Sequence, residues 1–165
     1  MLRGHLSGWY QGAPLSTNFE IAKPGDVILL HNLDGAYGYW THTILYIGHG
    51  QVVDANNFAR GTELNHVDNY RNYAEVMILR ANTTQVIRQR AARFAAQAVG
   101  TPYDPLGTLA DARTAYCSKL IWRSYANAGV KLCAVRDWVL PDDLANSPNL
   151  FCVAHWAAVQ EKRNG

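Results

Sequence analysis

Residues 41–55 read THTILYIGHGQVVDA, two apolar runs separated by Gly48-His49-Gly50. The β-branched and aromatic content on either side of the glycines predicts a hairpin, with strands from about Thr41 to Ile47 and from about Gln51 to Ala55. A three-residue loop sets Ile47 opposite Gln51 and Ile44 opposite Asp54. Side chains alternate along a strand, so His42 and Asp54 then project from one face. A four-residue loop would turn Asp54 to the other face. A carboxylate placed diagonally to an imidazole can accept its second N–H, fix its tautomer and stabilise the imidazolium.

Working outward, KPGDVILLHN (23–32) is a Pro-Gly turn followed by an apolar run of strand length, and DGAYGYW (34–40) is a glycine-rich aromatic loop leading into His42. Residues 56–73 are polar and turn-rich, and AEVMILR (74–80) predicts a further strand. TTQVIRQRAARFAAQAVG (83–100) has helical period, with Ile87, Ala91, Phe94, Ala95 and Ala98 on one stripe, arginines opposite and Gly100 as a stop. TPYDPLGTLADART (101–114) is a Pro/Gly loop. AYCSKLIWRSYANAG (115–129) begins a second helix, in which Cys117, Leu120, Ile121, Ser124, Tyr125 and Ala128 share a face. LPDDLANSP reads as a short capped helical piece and NLFCVAHW as a last apolar segment. The pattern predicts one α+β domain over 1–165, with an irregular lead-in over about 1–22 and an antiparallel sheet packed against helices.

Composition narrows the function. The 165 residues are 48% apolar and 17% charged, with a net charge of +2, too small to point to nucleic acid. The arginines of RQRAAR form a solvated helix face. No apolar run approaches the ~20 residues needed to span a bilayer, and MLRGHLSGWYQG lacks the apolar core of a secretory leader. Action outside the cytoplasm would therefore need another route. Cys117, Cys133 and Cys152 are widely spaced and describe no disulfide framework. A Cys133–Cys152 bridge is one reading; two buried free thiols is the preferred one. With no CxxC or HExxH, no metal or other cofactor is expected.

Cys117 has two readings. It is either a small core residue or a thiol at a helix amino terminus, where the macrodipole and free N–H groups favour thiolate and can hold an oxyanion. The second reading needs a base. Of the six histidines, His49 lies in the hairpin loop, His66 in a polar loop, and His5 and His155 near the ends without an evident partner. His31 ends a strand. His42 opens one directly after the aromatic loop, where a scaffold presents functional groups.

PGDVILL, THTILYIGHGQVVDA and AYCSKLIWRSYANAGV, in that order, resemble the circularly permuted branch of the NlpC-type papain-like cysteine hydrolases. That branch includes YiiX-like bacterial proteins and lecithin–retinol acyltransferase-like enzymes. VLPDDLANSPNLFCV resembles the segment after the nucleophile helix in YiiX-like members, and the likeness covers about residues 23–153. It implies a papain-like fold with Cys117 as nucleophile, His42 as base and Asp54 as the orienting residue, a position where relatives often carry His or Glu. Lys119 departs from the acidic or small residue common after "CS" and is expected to point to solvent. Tyr39, Trp40, Tyr103 and Tyr116 are expected near the site, as a substrate groove or as packing. The resembling family divides between amide bonds, as in cell-wall peptides, and ester or thioester bonds of lipids. Without the long hydrophobic tail of many lipid-acting relatives, an amide substrate is expected, with peptidoglycan peptides favoured and lipid or other acylated molecules as the alternative. A non-catalytic binding module is the reading of a different class.

Overall fold

The computed structural model describes residues 12–158. His5 and the first half of the expected lead-in lie outside these residues. Six strands, β1 (Val27–His31), β2 (His42–Gly48), β3 (Gln51–Asn57), β4 (Gly61–His66), β5 (Glu75–Ala81) and β6 (Leu150–Ala157), form one antiparallel sheet in the order β4-β3-β2-β1-β5-β6. Three helices, α1 (Gln85–Gln97), α2 (Cys117–Asn127) and α3 (Pro141–Ala145), complete the α+β fold.

The centre of the sheet follows from a short stretch. Lys23-Pro-Gly-Asp26 closes a turn through Asp26 N donating to Lys23 O, with Gly25 at φ 93°, a conformation open to glycine. β1 emerges from it and pairs on both sides, Val27 lying between Leu45 and Leu79. Its residues alternate between two apolar clusters. Val27 and Leu29 join Leu120, Ile121 and Tyr125 of α2 on one face; Ile28 and Leu30 join Phe19, Val67 and Tyr70 on the other. Both faces of β1 are covered, which is why it reads as a continuous apolar run rather than an alternating one.

α1 and α2 pack on each other and on β2. Thr84 caps α1 by accepting from Ile87 N, and Ala91 and Ala95 of the expected stripe are fully buried. Cys117, Leu120, Ile121, Ser124 and Tyr125 of the α2 stripe are all buried. The Tyr125 hydroxyl donates to Gly25 O at 2.5 Å, tying the helix to the turn before β1.

Three expectations are corrected. Residues 56–73 contain β4 and a 3-10 turn (Val67–Tyr70). β4 is an edge strand whose one large apolar residue, Leu64, is exposed, so no apolar run marked it. Cys133 and Cys152 are free but not both buried: Cys133 is half-buried and Cys152 exposed. Cys152 lies on β6, the opposite edge strand, where one side of the ladder is open. Lys119 does not reach solvent. Its stem is covered and its ammonium donates to Thr114 Oγ1 at 3.2 Å, beneath the 101–114 loop.

Candidate active site

The β2–β3 hairpin sets the first pair of residues. Its turn is His49-Gly50, both left-handed (φ 53° and 73°), and Gly48 pairs with Gln51. Two left-handed central residues match the twist of a two-residue hairpin. The loop is thus one residue shorter than the expected Gly-His-Gly, and the ladder is irregular between Tyr46 and Gly48, where Ile47 is the extra residue. The two differences cancel. Tyr46 pairs with Val52 and Leu45 with Val53, and one further step in that register sets Ile44 opposite Asp54.

His42 and Asp54 therefore meet. His42 Nε2 lies 2.8 Å from Asp54 Oδ1, and both side chains are almost wholly buried. Asp54 Oδ2 accepts from the Tyr70 hydroxyl at 2.6 Å. Burial alone would lower the proton affinity of His42. The charge of Asp54, with Tyr73 and hydrogen bonds to Asp54 and Cys117, outweighs it and holds the imidazole well above its usual 6.5. With Nε2 engaged by Asp54, Nδ1 is the ring nitrogen left for the thiol.

Cys117 is the first residue of α2, with the extended Tyr116 (φ −139°, ψ 171°) as its N-cap. Tyr116 gives no side-chain bond to the first amides of the helix, whose N–H groups have no partner within the helix itself. Cys117 is 2% exposed. The segment before α3 fastens this helix tip: Ser118 Oγ donates to Val139 O at 2.7 Å, and Val139 N donates to the Tyr116 hydroxyl at 2.9 Å. α3 itself reaches the residues just before β2. Asp142 accepts the amide of Tyr39 at 3.0 Å and that of Trp40 at 2.8 Å.

The expected aromatic residues separate in role. Trp40, Tyr103 and Tyr116 are buried in the helix-side cluster. Tyr39 is exposed, stacks on His31 (centroids 4.1 Å apart) and donates to Glu75 Oε1. Tyr103 shares a 2.6 Å hydroxyl–hydroxyl bond with Tyr37, which the sequence reading did not single out. Burial raises the titration of Tyr37 above the ordinary tyrosine value, against the opposing hydrogen bond to Tyr103; the charge of Cys117 adds to the rise and that of His42 opposes it. Its place in DGAYGYW, just ahead of His42, was the available signal. Nothing local marked Tyr70 or Asp142.

The other described histidines are engaged elsewhere. His66 caps the 3-10 turn by accepting from Asp68 N, and His155 Nε2 lies 2.5 Å from Glu75 Oε2. Among the described residues no three His, Cys, Asp or Glu side chains gather in a way that could hold a metal ion, and no helix is long and apolar enough to cross a membrane. The arrangement offers a buried thiol at a helix tip beside an imidazole anchored by a carboxylate, a set suited to nucleophilic attack on a carbonyl.

A family model described as permuted papain-like amidase enzyme, YaeF/YiiX, C92 family, matches residues 21–154. Among solved structures, the metalloprotein yiiX from Escherichia coli O157:H7 shares the fold. Its TM-score is 0.67 at 17% identity, over 80% of this chain and 96% of that chain. No curated protein matches the sequence.

Proposed function

The chain belongs to the permuted papain-like amidase family, and from that premise we propose that it cleaves peptide-like amide bonds with a Cys117–His42–Asp54 triad. The observation that carries this reading is the buried 2.8 Å contact between His42 Nε2 and Asp54 Oδ1. It fixes the tautomer and leaves Nδ1 toward the thiol.

In the mechanism, His42 takes the proton of Cys117 and becomes an imidazolium held by Asp54. The thiolate attacks the carbonyl carbon, and the developing oxyanion takes the backbone N–H of Cys117 at the positive end of α2. His42 then gives its proton to the leaving amine, and the C–N bond breaks to leave a thioester. Water, losing a proton to His42, attacks that thioester; the carboxylic acid departs and the thiol is restored.

Peptidoglycan peptides are the proposed substrate, on the strength of the amidase family. A second reading, acylated or lipid substrates, draws on the exposed Phe58, which meets the Tyr103 ring edge-on at 5.2 Å, and on the exposed Leu106 and Trp138. Incubation with purified peptidoglycan fragments and with phospholipid vesicles, followed by mass spectrometry, separates the two. New amine and carboxylate termini on the fragments support the first, and released fatty acid supports the second. Iodoacetamide labelling in a Cys152→Ser background tests for an enzyme at all. Fast, pH-dependent alkylation of Cys117 is expected; labelling as slow as that of Cys133, whose thiol burial pushes up to about 11, would favour a binding module.

A further inference from the structure

Asp54 has two carboxylate oxygens and almost no exposure, so each oxygen needs a donor from the protein. His42 supplies one. The other comes from β3's neighbour on its far side. β4 pairs with β3, placing Glu63 opposite Asp54, and the 3-10 turn that follows folds the buried Tyr70 back beneath β3. We propose that Tyr70 is a positioning residue for the triad, its hydroxyl locking the Asp54 carboxylate that orients His42. The inference rests on the triad reading above and adds a member that touches neither the substrate nor the thiol.

The geometry supports a committed donor. The Tyr70 hydroxyl lies 2.6 Å from Asp54 Oδ2, and its oxygen accepts from Asn65 Nδ2 at 3.0 Å. With that lone pair occupied from behind, the hydroxyl proton is directed at Asp54. Asn65 is itself fixed by donating to Glu63 Oε1 at 3.0 Å. A carboxylate held by one donor can swivel about its Cβ–Cγ bond. Donors on both oxygens, one from β2 and one from the 3-10 turn, hold its plane. Burial and the Asp54 charge raise the titration of Tyr70 far above the ordinary tyrosine range, so it stays a neutral donor at any working pH. The titratable groups that act on His42 are Asp54, Tyr73 and Cys117, and His42 in turn acts on Tyr37. Those facing Tyr70 are Asp54 and Tyr73.

The test is Tyr70→Phe, which keeps the ring and removes the donor. In a Cys117→Ala background, where no thiol complicates the titration, His42 is followed by NMR with and without the substitution. Loss of the lock weakens the hold of Asp54 on the imidazolium, and the His42 titration is expected to fall by about one pH unit. In the Cys117-containing enzyme, kcat is expected to fall roughly tenfold while KM changes little. A folded Tyr70→Phe protein with an unmoved His42 titration would overturn the proposal. Should that variant not fold, Asn65→Ala decides: a smaller downward shift supports the relay, and no shift rejects it. Absence of turnover in the unsubstituted enzyme would strike the triad reading instead, while the His42 titration would still decide the role of Tyr70.

Discussion

Asp142 grips the Trp40 amide at 2.8 Å across 102 residues of sequence. Its other oxygen takes the amide of Tyr39, so one carboxylate pins the backbone just before His42. Through Val139, the same segment holds Tyr116 and Ser118, on either side of Cys117. A single strap thus touches both the strand that bears the imidazole and the helix that bears the thiol.

Replacing Asp142 by Ala should therefore separate the two groups more than it unfolds the protein. The two lost acceptors cost about 1–3 kcal/mol of stability. Turnover should fall by more than that loss explains at a temperature where the variant remains folded. Thermal melting and kcat measured on one preparation check this, and a drop in melting temperature with kcat intact would contradict it.

Cys117→Ala should fold with a melting temperature close to that of the parent, because removing one buried sulfur leaves only a small cavity. Turnover should disappear entirely, and Cys117 labelling with it. Residual hydrolysis in this variant would place the nucleophile elsewhere.

Asp54→Asn keeps the size of the side chain but removes the charge that raises His42. Its effect on stability carries a definite sign. A histidine raised above 6.5 in the folded state contributes stability that is fully present below its unfolded value and is lost as pH rises through the folded one. In the Cys117→Ala background, urea midpoints should thus decline as pH climbs above the ordinary histidine range. With Asp54→Asn added, that decline should flatten. An unchanged slope would mean that Asp54 does not hold the imidazolium.

Away from the site, Arg80 grips the wholly buried Asp26 with two bonds of 2.8 and 2.7 Å. Arg80→Met leaves that carboxylate without its cation beside the Pro-Gly turn, and about 3–5 kcal/mol should be lost in urea unfolding. Adding Asp26→Asn should restore part of the loss, because the uncompensated charge is then gone. A double variant no more stable than Arg80→Met alone would argue against this account.

How much of this was legible differs from residue to residue. The α2 stripe was readable because helical period is a local property, and Leu120, Ile121 and Tyr125 pack as that period requires. The face shared by His42 and Asp54 was also read, although from a loop the protein does not form. A bulge at Ile47 compensates for the shorter turn, and turn geometry of this kind depends on two residues adopting left-handed backbone. β4 escaped notice because an edge strand with polar residues lacks the apolar signature on which strand prediction relies. Lys119 was misread because composition assigns ammonium groups to solvent, whereas the folded 101–114 loop covers this one.

The sequence alone determined the local grammar: an apolar β1, a hairpin with a charge at a defined phase, and an amphipathic helix with a thiol at its first turn. Each depends on neighbours a few residues apart, where periodicity and turn chemistry operate. Only the tertiary structure decided which distant groups meet. Tyr70 reaches Asp54, Asp142 reaches Trp40 and Tyr37 reaches Tyr103 because sheet order and helix packing bring their elements together. A hydrogen bond across 102 residues leaves no local trace in the chain, since neither partner's neighbours encode the other's position.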